Sequence, residues 1–133
     1  MILVDTSAWV EYLRASGSAI HGRVRDLLAR EAPLATTDVV VMEVLAGART
    51  GAERDRLRRL LYSRCAFIPI EGPADYEEAA ELYRVCRRGG TTIRKLTDCL
   101  IAAVAMRADA ELLHRDSDFD AIARHSRLRI ARH

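Results

Sequence analysis

Ile2-Leu3-Val4-Asp5-Thr6-Ser7 sets a short apolar run directly against a carboxylate and two hydroxyls. Three aliphatic residues in a row, without alternation, fit a strand buried on both faces of a parallel sheet, and Thr6 and Ser7 are placed to cap a helix that follows. Glu111-Leu112-Leu113-His114 repeats the pattern before Arg115-Asp116-Ser117. Leu34-Ala35-Thr36 after Pro33, Phe67-Ile68-Pro69-Ile70 and Leu128-Arg129-Ile130 read as three further strands. Pro69 marks an edge or an end, because it has no N–H to give to a ladder.

Between these runs the apolar spacing becomes helical. Trp9, Val10, Tyr12 and Leu13 suit a first helix that stops near Gly17, and Ile20, Val24, Leu27 and Leu28 form one stripe of a second. Thr37 or Asp38 can cap a third helix, apolar nearly all round from Val39 to Leu45 and reaching Gly47. Such a helix needs cover on more than one side, from the core or from another subunit. Leu57, Leu60 and Leu61 line one face of a segment from Ala52 to Tyr62. Pro73 opens a long helix closed by Gly89-Gly90, Leu100 to Met106 forms an alanine-rich one, and Phe119 to Ala123 a short one. Strands alternating with helices predict an α/β fold: a three-layer sandwich around a mostly parallel sheet of about five strands, as a single domain over residues 1–133.

Composition narrows the class. Hydrophobic residues make up 50% of the 133, ordinary for one soluble domain with a sizeable core. No apolar run approaches the length of a membrane span and no signal-type segment is present, so a cytoplasmic protein without membrane association is expected. Cys65, Cys86 and Cys99 are odd in number and widely spaced. That removes a disulfide framework and a CxxC zinc pattern, and leaves reduced packing residues. His21, His114, His125 and His133 share no motif spacing and read as structural or exposed. Net charge is +2, and positive charge is nearly all arginine, Lys95 being the one lysine among 21 Lys and Arg residues. Arg54 to Arg64 and Arg84 to Lys95 are two basic segments, which either flank an acidic site or form the solvated faces of amphipathic helices.

Four carboxylates stand where such a chain should be apolar or should simply turn: Asp5, Glu43, Asp98 and Asp116. Asp5 and Asp116 follow strands, and ligands of parallel sheets bind outside the carboxyl ends of strands. Each also has a plain alternative, a helix cap for Asp5 and a turn for Asp116. Asp98, in the first turn of its helix, is favoured there by the macrodipole alone. Glu43 lies mid-helix among apolar residues, where an unpaired carboxylate would cost several kcal/mol. A cation ligand or a buried ion pair to an arginine would resolve that cost. Converging carboxylates repel one another and are relieved by a hard divalent cation bound through oxygen. Asp118 is a possible further ligand, and Thr6 or Ser7 could hold a water through a hydroxyl.

Asp5-Thr6-Ser7, Met42-Glu43-Val44-Leu45-Ala46-Gly47, Thr97-Asp98-Cys99-Leu100-Ile101-Ala102-Ala103 and Arg115-Asp116-Ser117-Asp118-Phe119 together resemble the PIN-domain ribonucleases. The likeness covers essentially the whole chain, with the motifs in order, and is greatest to the VapC toxins of type II VapBC toxin-antitoxin pairs. It implies a PIN-like fold in which Asp5, Glu43, Asp98 and Asp116 form a catalytic pocket for Mg²⁺ or Mn²⁺. Asp118 is then an accessory ligand, and Thr6 or Ser7 matches the small hydroxyl residue near the first Asp. It further implies a VapB-like antitoxin that masks the pocket, seated beside the Val39 to Leu45 and Leu57 to Leu61 helices, and a homodimer.

The reaction so implied is metal-dependent endonucleolytic cleavage of RNA, tRNA or rRNA. Two ions about 3.5 to 4 Å apart can serve an in-line displacement, and such a site needs carboxylates and no side-chain nucleophile. Aromatic residues, at 5%, offer few stacking platforms, so RNA shape and arginine contacts to phosphate are expected to select the substrate. Competing readings are a stand-alone RNA-processing nuclease, a non-catalytic PIN module that binds RNA or protein, and a DNA nuclease. An aspartyl-phosphate phosphatase is disfavoured because Asp5-Thr6-Ser7 lacks a second acid two residues on.

Overall fold

The computed structural model describes residues 1–133 as strands and helices in the order β1 (Ile2–Val4), α1 (Thr6–Leu13), α2 (Ala19–Ala29), β2 (Leu34–Thr36), α3 (Asp38–Ala46), α4 (Gly51–Arg64), β3 (Cys65–Phe67), α5 (Ala74–Arg88), α6 (Leu96–Arg107), β4 (Glu111–Leu113) and α7 (Ser117–Arg124). The four strands form one parallel sheet in the order β3-β2-β1-β4, flanked by helices. Ile2 aligns with Leu34 on one side and with Glu111 on the other. Because every strand runs the same way, the residues after β1, β2 and β4 emerge together at one edge of the sheet. This is the α/β fold expected from the alternation of runs.

The sheet has four strands where about five were expected. Leu128-Arg129-Ile130 contributes a single parallel bridge, Ile130 opposite Leu112, with bonds Leu112 N–H to Arg129 O and Ala131 N–H to Leu112 O. The third strand is also displaced. α4 runs to Arg64 and passes straight into Cys65–Phe67, while Ile68 makes one last bond to Thr36 O before Pro69, lacking an N–H, leaves the sheet. α6 begins at Leu96 rather than Leu100.

Several helix starts are side-chain caps. Asp5, rather than Thr6 or Ser7, caps α1 by accepting the Ser7 N–H, Ser18 caps α2, Thr50 caps α4 and Asp116 caps α7. α3 is less enclosed than its composition implies: Val39, Val40, Val41 and Val44 are buried, but Met42 is 59% exposed.

α6 is the central helix. Asp98 to Ala105 are all buried, and the small side chains of Ala102, Ala103 and Ala105 let α5, α7 and β4 approach it. Trp9, Phe119, Ile101 and Leu112 fill the core around it. All three cysteines are free and buried, and burial pushes the Cys65 thiol up to about 11 and Cys99 to about 12. They are inert packing groups, as their spacing implied. No helix is long and apolar enough to cross a membrane.

Candidate metal centre

The carboxyl edge of the sheet carries a pocket of about 310 Å³. Asp5 enters it from the end of β1, Asp116 from the turn after β4, Glu43 from the middle of α3 and Asp98 from the first turn of α6. Thr6 and Ser7 line it too. Four segments far apart in the chain therefore place their acids in one cavity, as anticipated.

Hydroxyls fix two of the acids. The Thr6 hydroxyl donates to Glu43 Oε1 at 2.8 Å, tying α1 to α3. Ser7 donates to Asp5 Oδ2 through both its N–H and its hydroxyl, and its hydroxyl accepts the Arg115 N–H at 2.8 Å, which draws the β4 turn against α1. Asp116 is held from its other side: Oδ1 accepts from Asp118 N–H at 3.0 Å and Arg94 Nη2 at 2.7 Å. Its own N–H donates to Nδ1 of the buried His114, whose Nε2 faces Asp120 Oδ1 at 3.2 Å. That pair of contacts places the imidazole proton on Nε2 and makes His114 a support for the Asp116 turn.

Asp98 is left unserved. Its residue is 2% exposed, and Oδ2 is buried with no hydrogen-bond partner in the protein. Burial pushes its carboxyl up to about 7; Lys95 opposes that rise, while Asp5, Asp116 and Glu43 add to it. Asp5 is also raised, by burial first, against the pull of the Ser7 bonds and with help from Glu43. An orphaned carboxylate oxygen that close to three other acids is the donor arrangement a hard cation satisfies. The residues fit a hard divalent cation.

One expectation needs correction. Glu43 is not the acid whose burial demands a cation: its side chain is 23% exposed and bonded to Thr6, because α3 turns that face to the pocket, and the burden falls on Asp98 and Asp5. Asp118 stands outside the pocket lining but close to two of its acids. One oxygen each of Asp98, Asp116 and Asp118 lie within 4.8 Å of one another, a spacing a shared cation can use, and Arg94 steadies both Asp116 Oδ1, at 2.7 Å, and Asp118 Oδ2, at 3.0 Å from its N–H and its Nε.

The basic residues at the site carried no assignment from sequence. Lys95 Nζ lies 3.8 Å from Glu43 Oε2 and 4.0 Å from Asp98 Oδ1, and Arg115 reaches Glu11, one turn beyond Ser7, at 3.3 Å. Signals for two of them were present: Lys95 stands three residues before Asp98, and Arg115 adjoins Asp116.

The family follows from comparison with known proteins. Residues 2–125 match the model of the PIN domain family. Ribonuclease VapC11 of Mycobacterium tuberculosis and a VapC ribonuclease of Mycobacterium bovis are each 46% identical over 132 residues, covering 98% of both chains. Among solved structures, VapBC2 of Rickettsia felis, bound to a DNA fragment from its promoter, superposes with a TM-score of 0.74 over 98% of both chains at 20% identity. The chain belongs to the PIN-domain family and groups there with the VapC ribonucleases.

Proposed function

We propose that this chain is a divalent-metal-dependent endoribonuclease, the toxin of a toxin–antitoxin pair, which cuts cellular RNA and so arrests translation and growth. The observation that carries the proposal is the orphaned Oδ2 of Asp98 in a pocket shared with Asp5, Glu43 and Asp116, in a chain 46% identical to proteins named as ribonucleases.

Asp5, Glu43, Asp98 and Asp116 would hold the cation, with Asp118 as an accessory ligand, Thr6 orienting Glu43, Ser7 orienting Asp5, and Arg94 and His114 setting the Asp116 turn. When bound, Mg²⁺ or Mn²⁺ supplies relief of charge on the phosphodiester and a more acidic water. In the overall reaction the water oxygen bonds to phosphorus, the bond from phosphorus to O3′ breaks, and the proton ends on O3′. The products carry 5′-phosphate and 3′-hydroxyl ends. No side chain at the site is placed as a nucleophile: the thiols are buried elsewhere, and both hydroxyls are occupied in orienting acids.

An antitoxin partner is supported by a groove of about 400 Å³ beside the pocket. Val10, Leu13, Val44 and Leu57 make its apolar floor, between α1, α3 and α4, and Glu43 is common to both cavities. Leu13 in that floor is exposed, which favours cover by a second chain. We also assign a homodimer, on the resemblance and the incompletely covered α3.

The test is incubation of the protein with total cellular RNA and with DNA, in Mg²⁺, Mn²⁺ or EDTA, beside Asp98→Asn. RNA cutting by the wild type alone, abolished by EDTA, is expected. Equal cutting by the variant, or indifference to EDTA, defeats the metal-site reading, and preference for DNA defeats the substrate. Growth arrest on expression, relieved by a small neighbouring reading frame, tests the pairing.

A further inference from the structure

Lys95 is the only lysine among 21 Lys and Arg residues, and it stands in the acidic pocket. Every other fixed side-chain cation in the chain is a guanidinium. Whatever drives that preference, the one exception lies where a wide, planar group and a compact one would behave differently. An ammonium is a point charge with three rotatable donors on a flexible stem, whereas a guanidinium is a rigid fork that locks onto carboxylates.

Its position serves the helix badly. Lys95 is the N-cap of α6, makes no capping bond, and puts positive charge at the positive end of the helix dipole. Nor is it locked to its neighbours. Arg94 bonds Asp116 and Asp118 at 2.7 and 3.0 Å and Arg115 bonds Glu11 at 3.3 Å, but Lys95 stays 3.8 and 4.0 Å from Glu43 and Asp98, outside hydrogen-bond distance, with its side chain 55% exposed. Of the three cations at the site it alone has no hydrogen bond to a carboxylate.

We propose that Lys95 is a catalytic residue: its ammonium rests between Glu43 and Asp98 while these acids are free, and turns to a non-bridging oxygen of the scissile phosphate once a cation has taken them. The inference rests on the nuclease reading above. Two like charges cannot share the same pair of carboxylates at close range, so a bound divalent cation repels the ammonium toward the pocket mouth. The phosphate brings negative charge to that mouth. An arginine there would grip Glu43 and Asp98 with two or more bonds and oppose both events.

The experiment compares wild type, Lys95→Arg, Lys95→Met and Asp98→Asn. Mn²⁺ binding is measured by calorimetry without RNA, and cutting is measured on total cellular RNA. Lys95→Met is expected to bind Mn²⁺ at least as tightly as wild type while cutting at least about tenfold more slowly, the scale of losing one charge-stabilising donor. Lys95→Arg is expected not to restore the rate. With the lysine amine ¹³C-dimethylated, which keeps its charge, its resonance should shift as Mg²⁺ is added. Cutting by Lys95→Arg within about twofold of wild type overturns the proposal, as does joint loss of Mn²⁺ binding and cutting in Lys95→Met, or a resonance that Mg²⁺ does not move. Failure of the wild type to cut RNA, or equal cutting by Asp98→Asn, overturns the nuclease reading itself and is distinct from these outcomes.

Discussion

Asp98 and Asp75 are 2% and 3% exposed, and they mark opposite ends of α6, Asp98 within its first turn and Asp75 on α5 against its last residue, yet their surroundings treat them oppositely. Asp98, in the first turn of α6, has an orphaned oxygen, three acidic neighbours and a carboxyl pushed up to about 7. Asp75, in α5, meets the last residue of α6: Arg107 Nε bonds both of its oxygens at 3.0 and 3.2 Å, Nη2 adds a bond at 3.0 Å, and the Glu71 N–H another at 2.8 Å. Burial pushes Asp75 up, but the Arg107 and Glu71 bonds and the Arg107 charge outweigh it and leave the carboxyl below its ordinary value. Burial of an acid therefore says little about its role. What separates a strut from a binding site is whether the fold supplies the partners.

The largest effect should come from breaking the strut. Arg107→Ala leaves Asp75 buried without its cation and also frees Pro69 O and Glu71, which Arg107 binds through Nη2 and Nη1. Because the arginine side chain is 30% exposed, the loss should sit at the lower end for a buried pair, about 3 kcal/mol, read as a drop in the urea midpoint. Cutting by the folded fraction should be unchanged.

At the other end of α6 the same kind of deletion should act in reverse. Asp98→Asn removes a charge the fold does not support, so the metal-free protein should gain about 1 to 2 kcal/mol at pH 8 while losing RNA cutting. A variant that is both dead and less stable would mean that Asp98 is a strut as well.

The two ends should also titrate apart. The folded pKa of Asp98, about 7, lies above its ordinary 3.8, so its protonated form favours folding; that contribution is whole below pH 4 and is lost as pH rises through 7. Asp75 is lowered, so its contribution is present above pH 4 and is lost as pH falls further. The metal-free protein should melt highest between about pH 4 and 6, and Asp98→Asn should flatten only the alkaline side. Saturating Mg²⁺ should raise Tm more at pH 8 than at pH 5.5, because the ligands must be deprotonated to bind it. Equal Mg²⁺ shifts at both values would exclude Asp98 as the coupled group.

The contrast also marks what sequence could reveal. Asp5, Asp98 and Asp116 were legible because strand ends and helix starts follow from local periodicity, and a parallel sheet brings those ends together. Glu43 was found for a mistaken reason: Val39 to Leu45 reads as apolar all round, but the fold leaves Met42 and the Glu43 face open, which is a matter of packing. The strut was invisible, since Asp75 and Arg107 stand 32 residues apart with no motif joining them, in the midst of many arginines. The fifth strand failed for a similar reason. Leu128-Arg129-Ile130 has strand composition, but only Ile130 reaches a neighbour in register.

The smallest effect tests how much of the site is held in place without its ligand. Thr6→Val keeps the shape of the side chain at the start of α1 but deletes the 2.8 Å bond to Glu43 Oε1. Glu43 is part-exposed, so water can replace the hydroxyl, and stability should fall by about 0.5 to 1 kcal/mol. The site should feel the change more than the fold does. Freed from Thr6, the Glu43 carboxylate can move toward Lys95, 3.8 Å away, and must be drawn back when a cation binds. Mn²⁺ affinity should therefore weaken several-fold, and Thr6→Ser, which keeps the hydroxyl, should restore it. If Thr6→Val weakens the fold without changing Mn²⁺ affinity, Thr6 is a strut between α1 and α3 of the same kind as Arg107. The division between the two ends of α6 would then run through the pocket itself.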